Sequence, residues 1–207
     1  RACEEAADVL RPRWPAVQST VAEGEPREQI LKTAKTWGPH LAVLGRRGLG
    51  GFERLLLGSV SLAAARRLAC SVLVVQGSTR PIQRIVVGVD GSEESSGAVN
   101  FVGSLPLGPD VEVHLVAVVE PLVPTSLSFA AREALRPDLA EEYGRRQGNL
   151  RDVLIRAANR WRGRPGVHTH TPVGGRARQL LEMAATADLV VVGSRGLGAV
   201  RRLLLGT

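Results

Sequence analysis

Two glycine-rich segments carry the residues best suited to chemistry in this chain of 207 residues. One reads Gly45-x2-Gly48-x9-Gly58-Ser59-Val60-Ser61 and the other Gly193-x2-Gly196-x9-Gly206-Thr207. Each follows a short aliphatic run, so each loop is expected to leave the carboxyl end of a buried strand. A glycine there lets the chain turn through dihedrals closed to other residues, and the next removes a side chain where something must approach the backbone. The last glycine, beside Ser or Thr, stands where a helix begins. Free N–H groups, the helix dipole and a hydroxyl together make an anion site at that point. The pattern therefore predicts phosphate binding; the plainer alternative is a glycine-rich turn closed by an N-cap. The spacing is not a P-loop, because Gly-x4-Gly-Lys-Ser/Thr is absent. It is not the dinucleotide fingerprint either: the glycine order differs, and no Asp or Glu lies between Arg54 and Gln83 to hold a ribose hydroxyl.

Other candidates are weaker. Arg46, Arg47, Arg54, Arg195, Arg201 and Arg202 either grip phosphates or form the polar face of ordinary loops. His168 and His170 share one face of a strand and could begin a metal site. No third ligand is near in sequence, so a solvated edge strand is the reading adopted. Cys3 and Cys70 have neither metal-ligand spacing nor a disulfide framework, which points to a reducing cytoplasm, with Cys70 an inert core thiol. No Ser-His-Asp, Cys-His or paired-carboxylate arrangement can be argued from spacing. Asp90 is the one carboxylate placed to act as a base or metal ligand.

The elements that must position these residues occur twice. Residues 40–59 (HLAVLGRRGLGGFERLLLGS) align without a gap to 188–207 (DLVVVGSRGLGAVRRLLLGT), and Gly24 to Leu31 answers Gly174 to Leu181. The chain thus holds two copies of one domain of roughly 140–150 residues. Pieced together, a copy starts with strand Ile85 to Val89, then Asp90-Gly91-Ser92 and a helix with Glu93 and Glu94 in its first turn. Strand Val111 to Val119, a long helix from about Ser128 to Arg162 and an alternating, edge-like strand Val167 to Val173 follow. A helix Arg176 to Thr186 leads to the fourth strand, Leu189 to Val192. The first copy supplies a helix Ser59 to Leu68 and a fifth strand Val72 to Val75, and a polar linker, Gly77 to Gln83, joins the copies. This alternation predicts a doubly wound, parallel, five-stranded α/β sheet with right-handed crossovers.

These motifs resemble a tandem member of the universal stress protein family, over essentially the whole chain. The likeness rests on Gly-x2-Gly-x9-Gly-Ser/Thr, on Val89-Asp90-Gly91-Ser92 after the first strand, and on Cys70-Ser71-Val72-Leu73-Val74-Val75 as the fifth. The resemblance implies the adenine nucleotide alpha hydrolase-like fold and ATP, alone or with Mg2+, as ligand. It implies adenosine contacts at Gly88, Asp90 and Val118. It implies phosphate contacts at Gly45, Gly48, Gly58, Ser59 and Ser61 in the first copy and at Gly193, Gly196, Gly206 and Thr207 in the second. A homodimer, or pairing of the two copies, is the expected assembly. The first copy departs from the pattern: it has no counterpart of Val89-Asp90-Gly91-Ser92, and His40 stands where the second copy has Asp188, a difference expected to be structural.

The expected organisation is residues 1–78 as the C-terminal part of a first domain, with Arg1 to Arg13 ending its long helix. Residues 79–207 then form a second domain lacking its last helix and strand. On that reading the chain is a truncated product of a protein of roughly 290 residues, two domain lengths. An alternative is a permuted composite sheet over about His40 to Gly174, in which the fourth and fifth strands of copy one pair with the first three of copy two. Asp90 would then face Gly45 and Ser59.

Composition narrows the class of function. Hydrophobic residues make up 44%, charged residues 23% and aromatics 3%, which excludes disordered, collagenous and coiled-coil chains and calls for an aliphatic core. No apolar run approaches the roughly 20 residues of a spanning helix, so no membrane partner is expected. The net charge of +7 is almost entirely arginine, a bias read as genomic base composition rather than a nucleic-acid surface. The favoured function is a cytoplasmic, ATP-binding, nucleotide-responsive stress or signalling module. A slow ATPase or nucleotidyl-transfer enzyme and a non-nucleotide dimerisation module are the alternatives.

Overall fold

The computed structural model describes residues 1–45, 58–75, 80–122 and 136–193. Among these, one compact unit is built from residues up to 75 and another from residue 80 onward.

The first unit contains α1 (Ala2–Leu10), α2 (Pro26–Trp37), β1 (Leu41–Gly45), α3 (Ser59–Arg67) and β2 (Ser71–Val75). Helix α2 begins where the Glu25 carboxylate accepts the Glu28 N–H at 3.1 Å with Pro26 just inside. It stops at Gly38, whose φ of +58° is the left-handed cap that glycine favours. Strands β1 and β2 pair in parallel from Leu41 with Ser71 to Gly45 with Val75. No strand forms between α1 and α2. The matching strand of the second unit is an edge held by a single neighbour, and the first unit has no described counterpart of that neighbour.

The second unit contains β3 (Arg84–Gly88), α4 (Glu93–Ser104), β4 (Glu112–Val116), α5 (Arg136–Ala158), a 3-10 turn (Asn159–Trp161), β5 (Val167–His170), α6 (Arg176–Ala184) and β6 (Leu189–Val191). All strands are parallel, in the order β5-β4-β3-β6. Ile85, Val87, Val113 and Leu115 face α4 and α5 and pack with Leu154 and Trp161. Val86 and Val116 face the other way, against Leu180 of α6. Covering on both faces is why β3 reads as an unbroken apolar run, whereas β4 carries Glu112 and His114 on one face. Strand β5 is an edge, as its alternation predicts.

The fold class is the expected parallel α/β one, with specific corrections. The described residues form a four-stranded and a two-stranded parallel sheet, the five-strand pattern being divided between the two units. The composite sheet does not form, because the edge of β3 that copy one would have occupied is taken by β6, with Ile85 beside Leu189 and Val87 beside Val191. Asp188 holds that junction: its Oδ2 accepts the N–H groups of Gln83 and Arg84, each at 2.9 Å, and its Oδ1 meets Arg80 at 2.7 Å. Its difference from His40 is therefore structural, as expected. Cys70 is half-buried, not a core residue.

Candidate functional site

The carboxyl ends of β3, β4 and β6 surround a cavity of about 290 Å³. This is the edge at which open α/β sheets take ligands, and the volume is close to the roughly 300 Å³ lower end of ligand pockets. Gly88, Asp90, Val118 and Gly193, named from different stretches of sequence, all line it.

The turn from β3 into α4 is built by its own residues. Gly91 takes φ +85°, a left-handed position that suits glycine. Ser92 caps α4 by accepting the Ser95 N–H at 3.1 Å, and its own hydroxyl donates to Asp90 Oδ1 at 2.6 Å. The Ser92 N–H donates to the same oxygen at 3.0 Å. The partial burial of Asp90 pushes its carboxyl up. The Ser92 hydroxyl and N–H, Ser95 and the charge of Arg176 outweigh that and hold it below the ordinary aspartate value. Asp90 is thus a fixed, ionised hydrogen-bond acceptor.

Gly193 is needed for a reason other than the one its position suggested. Its φ lies outside the left-handed region; a Cβ there would stand 2.7 Å from the Glu94 carbonyl carbon and 2.8 Å from the Ser95 nitrogen. The glycine lets the end of β6 lie directly on the first turn of α4. Gly88 is a milder case, with a Cβ 3.1 Å from Val192 Cγ1.

Several lining residues escape motif reasoning. Arg146, Asn149 and Leu150 come from α5, Arg176 and Leu180 from α6, and Glu120 from beyond β4. Arg176 and Glu120 meet at 2.9 Å. Helical spacing puts Arg146, Asn149 and Leu150 on one face, and the Gly174-Gly175 pair precedes Arg176, but neither signal by itself names the cavity. The result is a cavity with an apolar wall of Val116, Val118, Leu180 and Val192, the N-terminal turns of α4 and α6, and both signs of charge at the rim. It can hold a flat apolar group with polar edges beside an anion.

The first unit places Gly45 at the end of β1, Gly58 as the N-cap of α3 and Ser59 exposed in its first turn. Ser61 is buried, and its hydroxyl donates to the Gly45 carbonyl at 3.1 Å. Gly48, Gly196, Gly206 and Thr207 lie outside the described residues, as do Arg46, Arg47, Arg54, Arg195, Arg201 and Arg202.

Comparison with known proteins agrees with this architecture. The sequence profile of the "Universal stress protein family" matches residues 1–76 and 81–207. Universal stress protein Rv2005c of Mycobacterium tuberculosis is 34% identical over 176 residues, covering 81% of this chain and 56% of the relative. The chain spans about half the length of the curated relatives it matches. A solved universal stress protein from Archaeoglobus fulgidus has the same fold, with a TM-score of 0.53 at 18% identity over 97% of this chain and 71% of the other. Another, solved in complex with cAMP, is 29% identical with a TM-score of 0.43, covering 62% of this chain and 87% of that one. The chain belongs to the universal stress protein family.

Proposed function

We propose that the second unit binds an adenine nucleotide, ATP above others, and that occupancy makes this protein a nucleotide-responsive stress or signalling module. The two units, residues 1–78 and 79–207, are in this reading pieces of two copies of one domain. The observation that carries the proposal is the convergence of Gly88, Asp90, Val118 and Gly193 on one cavity at the strand ends. The apolar wall suits an adenine ring, and Asp90 is oriented to accept from a nucleoside donor. The N-terminal turns of α4 and α6 favour negative charge.

Binding is favoured over hydrolysis by the state of Asp90. A general base works best when its proton affinity is raised toward neutral pH, whereas the hydrogen bonds from Ser92 lower that of Asp90. Whether Mg2+ accompanies ATP is left to the same experiment. Calorimetric titration of the whole chain with ATP, cAMP and adenosine, with and without Mg2+, tests the reading. Saturable binding of ATP is expected, weakened about tenfold or more by Asp90→Ala through loss of a charged hydrogen-bond partner worth about 1.5–3 kcal/mol. Absence of saturable nucleotide binding refutes the function; unchanged binding by Asp90→Ala refutes the site.

A further inference from the structure

Strands β4 and β5 carry a side-chain cluster that nucleotide binding does not use. Their register sets His114 beside His168 and Val116 beside His170. Alternation then puts Glu112, His114, His168 and His170 on one face. The His114 ring stacks on His168 at 4.9 Å and on His170 at 5.1 Å between centroids. His114 Nδ1 lies 2.9 Å from His170 Nε2, and His114 Nε2 lies 3.3 Å from Glu112 Oε2. Arg84 of β3 meets the same Glu112 oxygen at 3.0 Å. Among the described residues no group of three His, Cys, Asp or Glu side chains could hold a metal ion. Two ring nitrogens in contact are then a place for a shared proton.

We propose that the Glu112–His114–His170 chain is a proton-operated latch on edge strand β5, accepting one proton without rearrangement and releasing β5 from β4 when a second reaches His170. The hydrogen bonds fix the order of events. In the neutral chain His114 Nε2–H donates to Glu112, so His114 Nδ1 is an acceptor and His170 Nε2–H donates to it. A first proton enters at His170 Nδ1 while the Nε2 proton passes across to His114 Nδ1. The positive charge then sits on His114 beside the Glu112 carboxylate, and both hydrogen bonds survive with the second one reversed. The single lone pair left is His170 Nε2, which is now the acceptor of that bond. A second proton there breaks the bond and sets two imidazolium rings in contact.

The surroundings make the second step costly. Burial, then the charges of His114 and His168, hold the His170 ring below the ordinary imidazole value. Arg84 adds positive charge from β3. The charged groups of α6, which packs on this face, are paired with other partners: Arg176 with Glu120 at 2.9 Å and Arg178 with Glu182 at 2.8 Å. A ring whose proton affinity is lowered by the folded arrangement binds protons more readily once β5 is released. The latch is therefore fully closed above the ordinary imidazole pKa and opens as pH falls through that value toward the lowered one. Past His170 the two chains stay zipped by the bonds Ala117 N–H to His170 O at 3.0 Å, Val119 N–H to Pro172 O at 2.9 Å and Gly174 N–H to Val119 O at 3.0 Å. Those residues lead to Glu120 and Arg176 at the cavity rim, so opening would loosen the rim. That consequence alone rests on the nucleotide reading.

Amide hydrogen exchange of the intact chain, normalised for intrinsic rates, tests this between about pH 7.5 and 5.5. Amides of the β4–β5 ladder, such as Val113 and Ala117, should lose protection by up to about tenfold by pH 5.5, which lies about one unit below a free imidazole. Those of the β3–β6 ladder should not change, and His170→Gln should abolish the loss. Ring nitrogen NMR on the wild type gives a second reading that needs no variant: after the first proton, His170 should carry its proton on Nδ1 with Nε2 bare. Equal loss of protection in both ladders, a pH dependence kept by His170→Gln, or a doubly protonated His170 from the first step overturns the latch.

Discussion

Alanine in place of Gly193 tests whether the end of β6 is held by direct backbone contact with α4. The added Cβ would meet the Glu94 carbonyl carbon at 2.7 Å, the Ser95 nitrogen at 2.8 Å and Glu94 Cβ at 2.9 Å. Two of these three atoms are backbone in the first turn of a capped helix, so neither side can yield by a rotamer change. Overpacking of this kind costs about 1–3 kcal/mol, and a backbone clash belongs near the top of that range. Gly88→Ala meets Val192 Cγ1 at 3.1 Å and the Leu180 methyls at 3.5 and 3.6 Å, all side-chain atoms that can shift. About 1 kcal/mol is expected there. Gly97 lies inside α4 with nothing within 4 Å of a new Cβ. Alanine there should stabilise by about 0.5–1 kcal/mol, since glycine is the poorer helix former. Urea unfolding followed by Trp161 fluorescence reads the second unit, because that indole is buried while Trp14 and Trp37 are exposed. With a slope of about 1–3 kcal/mol per molar, Gly193→Ala should lower the midpoint by roughly 1 M or more and Gly97→Ala should raise it. A Gly193→Ala midpoint equal to that of the wild type would show that β6 does not end against α4 as described.

Glu120→Gln should tighten ATP binding by up to about fivefold and leave adenosine unchanged in calorimetry, because a half-exposed ion pair holds Arg176 with no more than about 1 kcal/mol. Equal effects on both ligands would mean that Arg176 does not meet the phosphates. Asp188→Asn should lower the thermal midpoint. Hydrogen bonds from the N–H groups of Gln83 and Arg84 hold the Asp188 carboxyl below its ordinary value of 3.8. Its contribution is therefore present above that value and lost as pH falls through the lowered one, and the gap between wild type and variant should close on acidification. A gap that widens in acid contradicts this role.

Strand β3 could be read from its unbroken aliphatic run, because burial on both faces leaves few polar positions, and β5 from its alternation. Gly88, Asp90, Val118 and Gly193 came together for a related reason: each follows a strand, and parallel strands end at one edge of the sheet. Residues delivered by helix faces were not legible. Arg146, Asn149 and Arg176 belong to helices whose rotation about their axes is set by packing, and no local pattern states which face meets the cavity. His114 shows the same limit for strands. Alternation puts His168 and His170 on one face, but the ring that completes the cluster comes from 56 residues before His170 and is selected by the register of β4 against β5. At Gly193 the turn expected from the sequence is absent: its close approach to Glu94 and Ser95 joins two distant elements rather than bending the chain.

The glycine spacing alone does not distinguish the two units. Both copies carry the same glycine spacing, which alone would argue for two equal sites. The structure gives the pattern different surroundings. In the second unit the glycine after β6 lies on the turn that Asp90 and Ser92 build, and the strand ends of β3, β4 and β6 close a cavity around it. In the first unit the buried Ser61 hydroxyl donates to the Gly45 carbonyl at 3.1 Å. A glycine loop supplies N–H groups and room, whereas the proposed nucleoside acceptor is the Asp90 carboxylate fixed at the end of β3. The binding proposed for the second unit therefore rests on β3 and its turn as much as on the glycine spacing.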